Sequence, residues 1–305
     1  MMRTGKPPVY YVWIGSRGVV AHAHLDSVYN FYVQIYGRKR FVLFPPRLFE
    51  TLKLYPKLHP RNGQSQINFT APQADLFPEF LTSASQDLLQ KHVRVADLEP
   101  GDVLILPPYW LHYVTALEAS ISVSLWAYAE AVNVTAAITA VPVPFHRDWN
   151  DAQRRAALGY FMMSLFEQLG PIPHASTTRM SPVGDSGSTS TLASDDQSNL
   201  DAARARLRML VHDRYRSFHA LPAFNHAPYN TTECLVGTVL DQLALRRASA
   251  AVAAQLNTLQ PYVRDIFALD YIEELLNAAV QPAHVFATLL GYSSSCMNGV
   301  SSASA

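Results

Sequence analysis

The feature that most limits what this chain can fold into is the stretch from Val9 to Tyr128. There, short segments rich in β-branched and aromatic residues follow one another with turns between them instead of helices. Val9 to Ile14 reads as a first strand ended by the turn Gly15 to Gly18, Val19 to Asp26 as a second, and Phe31 to Tyr36 as a third. Gly37-Arg38 turns into Lys39 to Phe44, which stops at Pro45-Pro46 because proline cannot donate to a sheet ladder. Arg47 to Lys91, with Pro56, Pro60, Pro72 and Pro78, reads as a long irregular excursion, and loops of that length in a compact domain usually serve a function. Strands resume at Val93, at Val103 to Leu106, at Tyr113 to Leu117 and at Ile121 to Tyr128. Hairpin connections with no βαβ unit predict an antiparallel double-sheet jelly roll or barrel, so the N-terminal half is expected to be mainly β.

After Pro144 the period becomes helical. Ala157, Phe161, Leu165 and Leu169 share one face, behind Asp148 or Asn150 as N-cap. Residues 171–199 are crowded with Ser, Thr, Asp, Gly and Pro and read as a disordered linker. An α-helical region follows over 200–292. One helix runs from Leu200 to Phe218, and a capping box at Asn230 to Glu233 opens a second that ends near Leu256. Pro261 starts a third, to about Ala278, and Pro282 a short fourth. The apolar stripes Leu235, Val239, Leu243 and Ile266, Leu269, Ile272, Leu276 need partners, within a bundle or across a homodimer interface. The expected organisation is a β domain over 1–147, a helical extension over 148–170, the linker, the helical region and a flexible Ser-rich tail over 293–305.

Composition narrows the function. With 305 residues, 49% hydrophobic, the chain can bury a sizeable core. No apolar run is long enough to span a bilayer, and Met1 to Val9 lacks an apolar signal region, so a cytoplasmic or nuclear location is expected. That setting gives little weight to the sequons at Asn68, Asn133 and Asn230. Cys234 and Cys296 form neither a disulfide framework nor a thiolate site. Net charge is zero and no basic block stands out, so neither nucleic acid nor a membrane is indicated as a partner.

The chemistry gathers at His22-Ala23-His24-Leu25-Asp26. In an extended strand His24 and Asp26 point the same way. Two imidazoles and one carboxylate, with other positions open, are the donor set of a non-haem Fe(II) oxygenase. His112, which follows Gly101-x5-Pro107 in the form of the second cupin motif, would complete it. His22 shares the parity of His24, so the set His22, His24, His112, serving a dioxygenase without 2-oxoglutarate, stays open. Against it stand the missing Glu expected after His-x-His and the presence of Lys39.

Several motifs recur together: Trp13-Ile14-Gly15, His24-x-Asp26, Asn30-Phe31-Tyr32-x-Gln34-Ile35-x-Gly37-x-Lys39-Arg40, Phe44-Pro45-Pro46, His59-Pro60, Gln64-Ser65-Gln66, Gly101-Asp102-Val103-Leu104 and Tyr109-Trp110-x-His112. With them Tyr10 to Tyr128 resembles the JmjC-type, cupin-fold (double-stranded β-helix) Fe(II)- and 2-oxoglutarate-dependent oxygenases. Among these it most resembles the asparaginyl hydroxylase group called factor inhibiting hypoxia-inducible factor.

The resemblance implies that His24, Asp26 and His112 bind Fe(II) and that Lys39 pairs with the far carboxylate of 2-oxoglutarate. It implies further that Asn30, Tyr32 and Trp126 line the co-substrate pocket and that Gln64 touches a protein or peptide substrate. The chain departs from the family at Ala21, where a Thr donates to the co-substrate, and at Ser124, where an Asn is expected. The family also carries an N-terminal region ahead of the strand that here begins near residue 9, so the domain is expected to be incomplete at its front. An unpaired sheet edge and bare apolar surface should follow. The implied function is hydroxylation of a protein side chain. The alternatives are a non-catalytic JmjC-like interaction protein, a JmjC lysine demethylase and a tRNA hydroxylase.

Overall fold

Among the described residues, eight strands form where β-branched and aromatic residues cluster. They are β1 (Val9–Gly15), β2 (Val20–Leu25), β3 (Tyr29–Tyr36), β4 (Lys39–Phe44), β5 (Arg94–Leu98), β6 (Val103–Leu106), β7 (Leu111–Ala116) and β8 (Ser120–Ala127). This is a computed structural model, and it describes residues 7–129, 131–171, 191–216 and 242–279. The strands make two four-stranded antiparallel sheets, in the orders β1-β8-β3-β6 and β2-β7-β4-β5. Except at the β4–β5 step, each successive strand crosses to the other sheet, the winding expected of the jelly roll. Gly37, at φ 65°, makes the β3–β4 turn, and a Cβ there would overlap the Ala119 carbonyl.

The first sheet inverts the usual alternation. Along β3 the buried, inward residues are Asn30, Tyr32 and Gln34, while Phe31, Val33 and Ile35 face out. On β8, Ser120, Ser122 and Ser124 point inward and Ile121, Val123 and Leu125 outward. The barrel interior on this side is polar and hydrogen-bonded: Ser122 Oγ donates to Gln34 Oε1 at 2.9 Å, and Gln34 Nε2 donates to the carbonyls of Tyr36 and Gly37. The apolar contribution comes from the other wall, where Phe41, Leu43 and Leu98 pack with Tyr32 and Leu106.

The excursion after β4 is more ordered than the sequence suggests. A single turn, α1 (Phe49–Leu52), is followed by α2 (Ser83–His92), whose N-cap Thr82 accepts from Ser85 N. Density of proline before residue 79 hides a helix that begins once the prolines end. Phe69 packs on Phe44, Phe80 and Tyr113, which covers the outer face of the second sheet. Among the described residues nothing comparable covers the outer face of the first sheet, and Tyr10, Val12, Ile14, Ile35, Val103 and Ile105 are exposed.

The described residues divide into two units, one holding the barrel up to Val134 without Pro56–Leu58, the other holding Pro56–Leu58 and the helices after it. A helix the sequence reading did not anticipate, α3 (Ala131–Thr139), follows β8. In the second unit α4 (Asp151–Gln168) starts at a capping box between Asn150 and Gln153, and Ala157, Phe161, Leu165 and Leu169 are all buried. The next helix, α5 (Thr191–Arg208), begins inside the segment expected to be linker, because no Gly or Pro interrupts the chain between Gly187 and Arg208. A π-helical turn at Met209–Asp213 ends it. Then come α6 (Gln242–Leu256) and α7 (Pro261–Ala279).

Ile266, Leu269, Ile272 and Leu276 are buried on α7 as their spacing predicts. Leu243 is 60% exposed, since the buried face of α6 runs through Leu245, Val252 and Leu256 and Leu243 lies off it. The capping box at Asn230, the helix at Pro282, most of the linker and the tail lie outside the described residues. Two buried ion pairs, Arg206–Asp265 at 2.9 Å and Arg214–Glu273 at 2.9 Å, tie the region after α4 to α7.

Candidate metal centre

β2 and β7 run antiparallel with His24 opposite His112, which brings their ring centroids to 4.2 Å. A register shift between Ala21 and His24 sets this pairing, and β2 ends at Leu25, one residue short of the expected strand. Asp26 therefore sits in the turn, where its carbonyl accepts from Tyr109 N at 2.8 Å. Tyr109 holds a left-handed φ of 66°, an uncommon conformation for a bulky residue, three positions before His112. One potential ligand atom each from His24, Asp26 and His112 lies within 4.8 Å of the others.

Both imidazoles are oriented in the same way. His24 Nδ1 lies 2.7 Å from the His22 carbonyl and His112 Nδ1 3.1 Å from the Trp110 carbonyl. A carbonyl accepts only, so each Nδ1 carries the proton and each Nε2 keeps a free lone pair, the form that ligates metal. Burial, reinforced by the neighbouring His24, pushes His112 down to about 3, so it is neutral at physiological pH. Burial raises the Asp26 carboxyl, against the opposing pull of His24 and a hydrogen bond from Asn30. An under-stabilised carboxylate beside two free lone pairs is a donor set suited to a divalent cation. His22 offers its backbone carbonyl, not its exposed ring, so the alternative set His22, His24, His112 is not assembled.

The other residues singled out in the sequence surround this group. Asn30 Nδ2 donates to Asp26 Oδ2 at 3.4 Å, and since a carboxylate only accepts, Asn30 Oδ1 must turn away. That oxygen, and Nε1 of its cross-strand partner Trp126, are buried without a hydrogen bond. Lys39 is 8% exposed, and its Nζ donates to Tyr32 OH at 2.6 Å. Its neighbours face out, Arg38 pairing with Glu118 and Arg40 with Asp97. Burial lowers the pKa of Lys39 and raises that of Tyr32. Lys39 and His112 share the inner wall. Leu43 stands opposite His112 in β4–β7, so Lys39 is four residues, about 13 Å, along the strand.

The segment Gly63–Ser65 adds to the free edge of β2. Leu25 N donates to Gly63 O, Ser65 N donates to Ala23 O, and Gln64 is bridged to His24. Ala21 is exposed, while Ser124 is buried and accepts from Trp13 Nε1 at 2.9 Å. Trp13 and Tyr11 were not assigned a site role from sequence. The signal was the parity of β1, in which Tyr11 and Trp13 fall opposite the inward Ser124 and Ser122.

Residues 3–131 match the family described as a cupin-like domain. Over 118 residues the chain is 37% identical to lysine-specific demethylase 8 of Xenopus tropicalis, covering 37% of this chain and 24% of that protein. Over 124 residues it is 37% identical to human HSPB1-associated protein 1, covering 39% and 23%. The chain thus spans about a quarter of the length of the curated relatives it matches. Among solved structures it is similar to YcfD, a ribosomal oxygenase from Escherichia coli in complex with cobalt and 2-oxoglutarate, with a TM-score of 0.26 and 17% identity over 47% of this chain and 35% of that one. No described helix is long and apolar enough to cross a membrane.

Proposed function

We propose that the barrel is an Fe(II)- and 2-oxoglutarate-dependent oxygenase that hydroxylates a side chain of a protein substrate. The observation that carries this reading is a single inner wall with a two-histidine, one-carboxylate group at one end and a buried, carboxylate-free ammonium, Lys39, toward the other. A lysine so placed calls for an anion. A metal at one end and a cation at the other suit a short dicarboxylate that chelates through its first carboxylate.

His24, Asp26 and His112 would hold the iron. Lys39 and the Tyr32 hydroxyl would hold the far carboxylate, and Asn30 would keep Asp26 oriented by its amide bond. When bound, iron and 2-oxoglutarate together supply oxygen activation coupled to decarboxylation of the co-substrate to succinate and CO2. The chain's own contribution is to keep His112 neutral, to turn both imidazoles with Nε2 forward, to line the reacting space with Phe41, Tyr32 and Trp126, and to limit water there. Gln64, bridged to His24, would meet the peptide. The resemblance to asparaginyl hydroxylases favours asparagine as the target, while one relative is named for lysine demethylation.

The test is a pair of variants. His112→Ala should lose iron on desalting. Lys39→Ala should retain iron and bind 2-oxoglutarate about 10- to 100-fold more weakly, the loss of one charge-assisted contact in a buried site. Iron retention by His112→Ala, or unchanged 2-oxoglutarate affinity in Lys39→Ala, would overturn the reading. A non-catalytic interaction protein is favoured by one observation, the exposed Ala21 where the family's donor stands. Succinate formation by the wild-type chain separates the two.

A further inference from the structure

Leu43 of β4 stands opposite both His112 of β7 and Arg94 of β5, and His112 stands opposite His24 of β2. Directly opposed residues share a face of a sheet, so His24, His112, Leu43 and Arg94 form one row across the inner wall. The row lies at the end of the sheet where β2 and β4 finish and β7 and β5 begin. Arg94 is thus a rim residue level with the metal ligands, two strand spacings, roughly 10 Å, from His112. It is exposed, and its Nη1 donates to the carbonyls of Lys91 and Val93 where α2 ends. Those bonds hold the guanidinium in place and leave its Nε–Nη2 edge without an acceptor among the described residues.

Arg94 belongs to a cationic cluster. Burial lowers the pKa of His92, and Arg47, Lys91 and Arg94 all lower it further, so the three charges crowd around one ring. Elsewhere in the barrel Arg38, Arg40 and Lys53 pair with Glu118, Asp97 and Glu79. Among the described residues no carboxylate pairs with Arg47, Lys91 or Arg94. The dipole of α2 favours Lys91 and His92 in its last turn, but it does not explain Arg47, which follows β4, or the place of Arg94 in the inner row.

Three unpaired cations on a rim call for a partner with several negative charges. Neither α2 nor β5 carries Phe, Tyr or Trp, so a nucleic acid would find phosphate contacts there and no stacking platform. Carboxylates fit better, because the free edge of Arg94 matches the two oxygens of one of them. An extended peptide advances about 3.3 Å per residue, so an acidic side chain about three residues from the reacting one spans the distance from the metal ligands to Arg94.

We propose that Arg47, Lys91 and Arg94 form a docking surface for an acidic stretch of the protein substrate, gripped at Arg94 beside the metal centre. This deepens the oxygenase reading and rests on it for the reaction that the docked protein undergoes.

The probes are fluorescein-labelled hexaglutamate, hexaglutamine and hexauridylate, followed by anisotropy on the full chain without metal and again with Mn(II) and 2-oxoglutarate. Hexaglutamate should bind saturably in both states, about tenfold more tightly than hexaglutamine, and the advantage should fade as salt is raised. Arg94→Gln and Arg47→Gln should each weaken it about two- to fivefold. Arg38→Gln, which removes a cation already paired with Glu118, should not. Thermal melts show whether each variant is folded. Equal binding of hexaglutamate and hexaglutamine overturns the proposal. So does an Arg94→Gln variant that melts at a lower temperature yet keeps its hexaglutamate affinity, because Arg94 then only caps α2. Hexauridylate that binds more tightly than hexaglutamate and weakens in the same variants overturns it in favour of a nucleic acid. A wild-type chain that binds hexaglutamate through Arg47 and Arg94 but never chelates metal with 2-oxoglutarate sustains the acidic docking surface and removes the oxygenase reading alone.

Discussion

His24 and His112 each turn Nδ1 onto the carbonyl two residues earlier, so the strand itself selects the tautomer that presents Nε2. The motif made both residues legible in the sequence, as the family resemblance did for Lys39. Less legible was Asp26, which leaves the strand and is held through its carbonyl by the left-handed Tyr109, a contact across a long stretch of chain that no local pattern encodes. His22 likewise needed the structure, because the register shift beside it breaks the parity on which the sequence argument relied. Lys39 has a cost that can be measured. A buried ammonium hydrogen-bonded to a phenol is destabilising without its anion, so Lys39→Met should raise the stability of the ligand-free chain by about 1–2 kcal/mol while weakening 2-oxoglutarate binding as Lys39→Ala does. A urea titration of both chains checks this. A destabilised variant would mean that Lys39 is satisfied as it stands.

The strands β3 and β8 carry the apolar residues outward and the polar ones inward, and this inversion is what lets a sheet wall a reaction chamber. Sequence alternation identifies such strands but not which face is the inside. It could not reveal α2, whose start is masked by prolines, or the early start of α5 in a polar stretch. The bare outer face predicts that the native chain binds a hydrophobic dye at neutral pH. Val12→Lys with Val103→Lys should lower that signal while changing stability by less than about 1 kcal/mol. An unchanged dye signal would show that the face is not what the dye reads.

On α7, Glu273 faces Arg214, Asp270 and Tyr215 and accepts from Leu58 N. Burial raises its carboxyl from 4.5 to about 7. The folded chain therefore holds this proton more tightly than the unfolded chain. Its contribution is full below about pH 4.5 and is lost as pH rises to about 7, by at most about 1.4 kcal/mol per pH unit. Glu273→Gln should flatten that slope in thermal melts across the window. An unaltered slope would assign it to other groups.

At the scale of the molecule, a polar-lined barrel and a helical unit with buried Arg–carboxylate pairs are each recognisable from sequence in outline: strand succession gave the first, and 3.6-residue spacing the second. The ion pairs were not legible, because Arg206 and Asp265 meet across separate helices that local spacing does not relate. The cupin-like match over residues 3–131 and the metal-capable triad both fall in the barrel, and so does every residue of the proposed chemistry. The proposed chemistry requires that barrel to assemble iron and 2-oxoglutarate together. The direct test is anaerobic titration of the whole chain with Fe(II) and 2-oxoglutarate, followed by visible absorption. A metal-to-ligand charge-transfer band that requires both additions and is lost in Asp26→Ala is the predicted result. A folded chain that shows no band, or one that survives in Asp26→Ala, would contradict it.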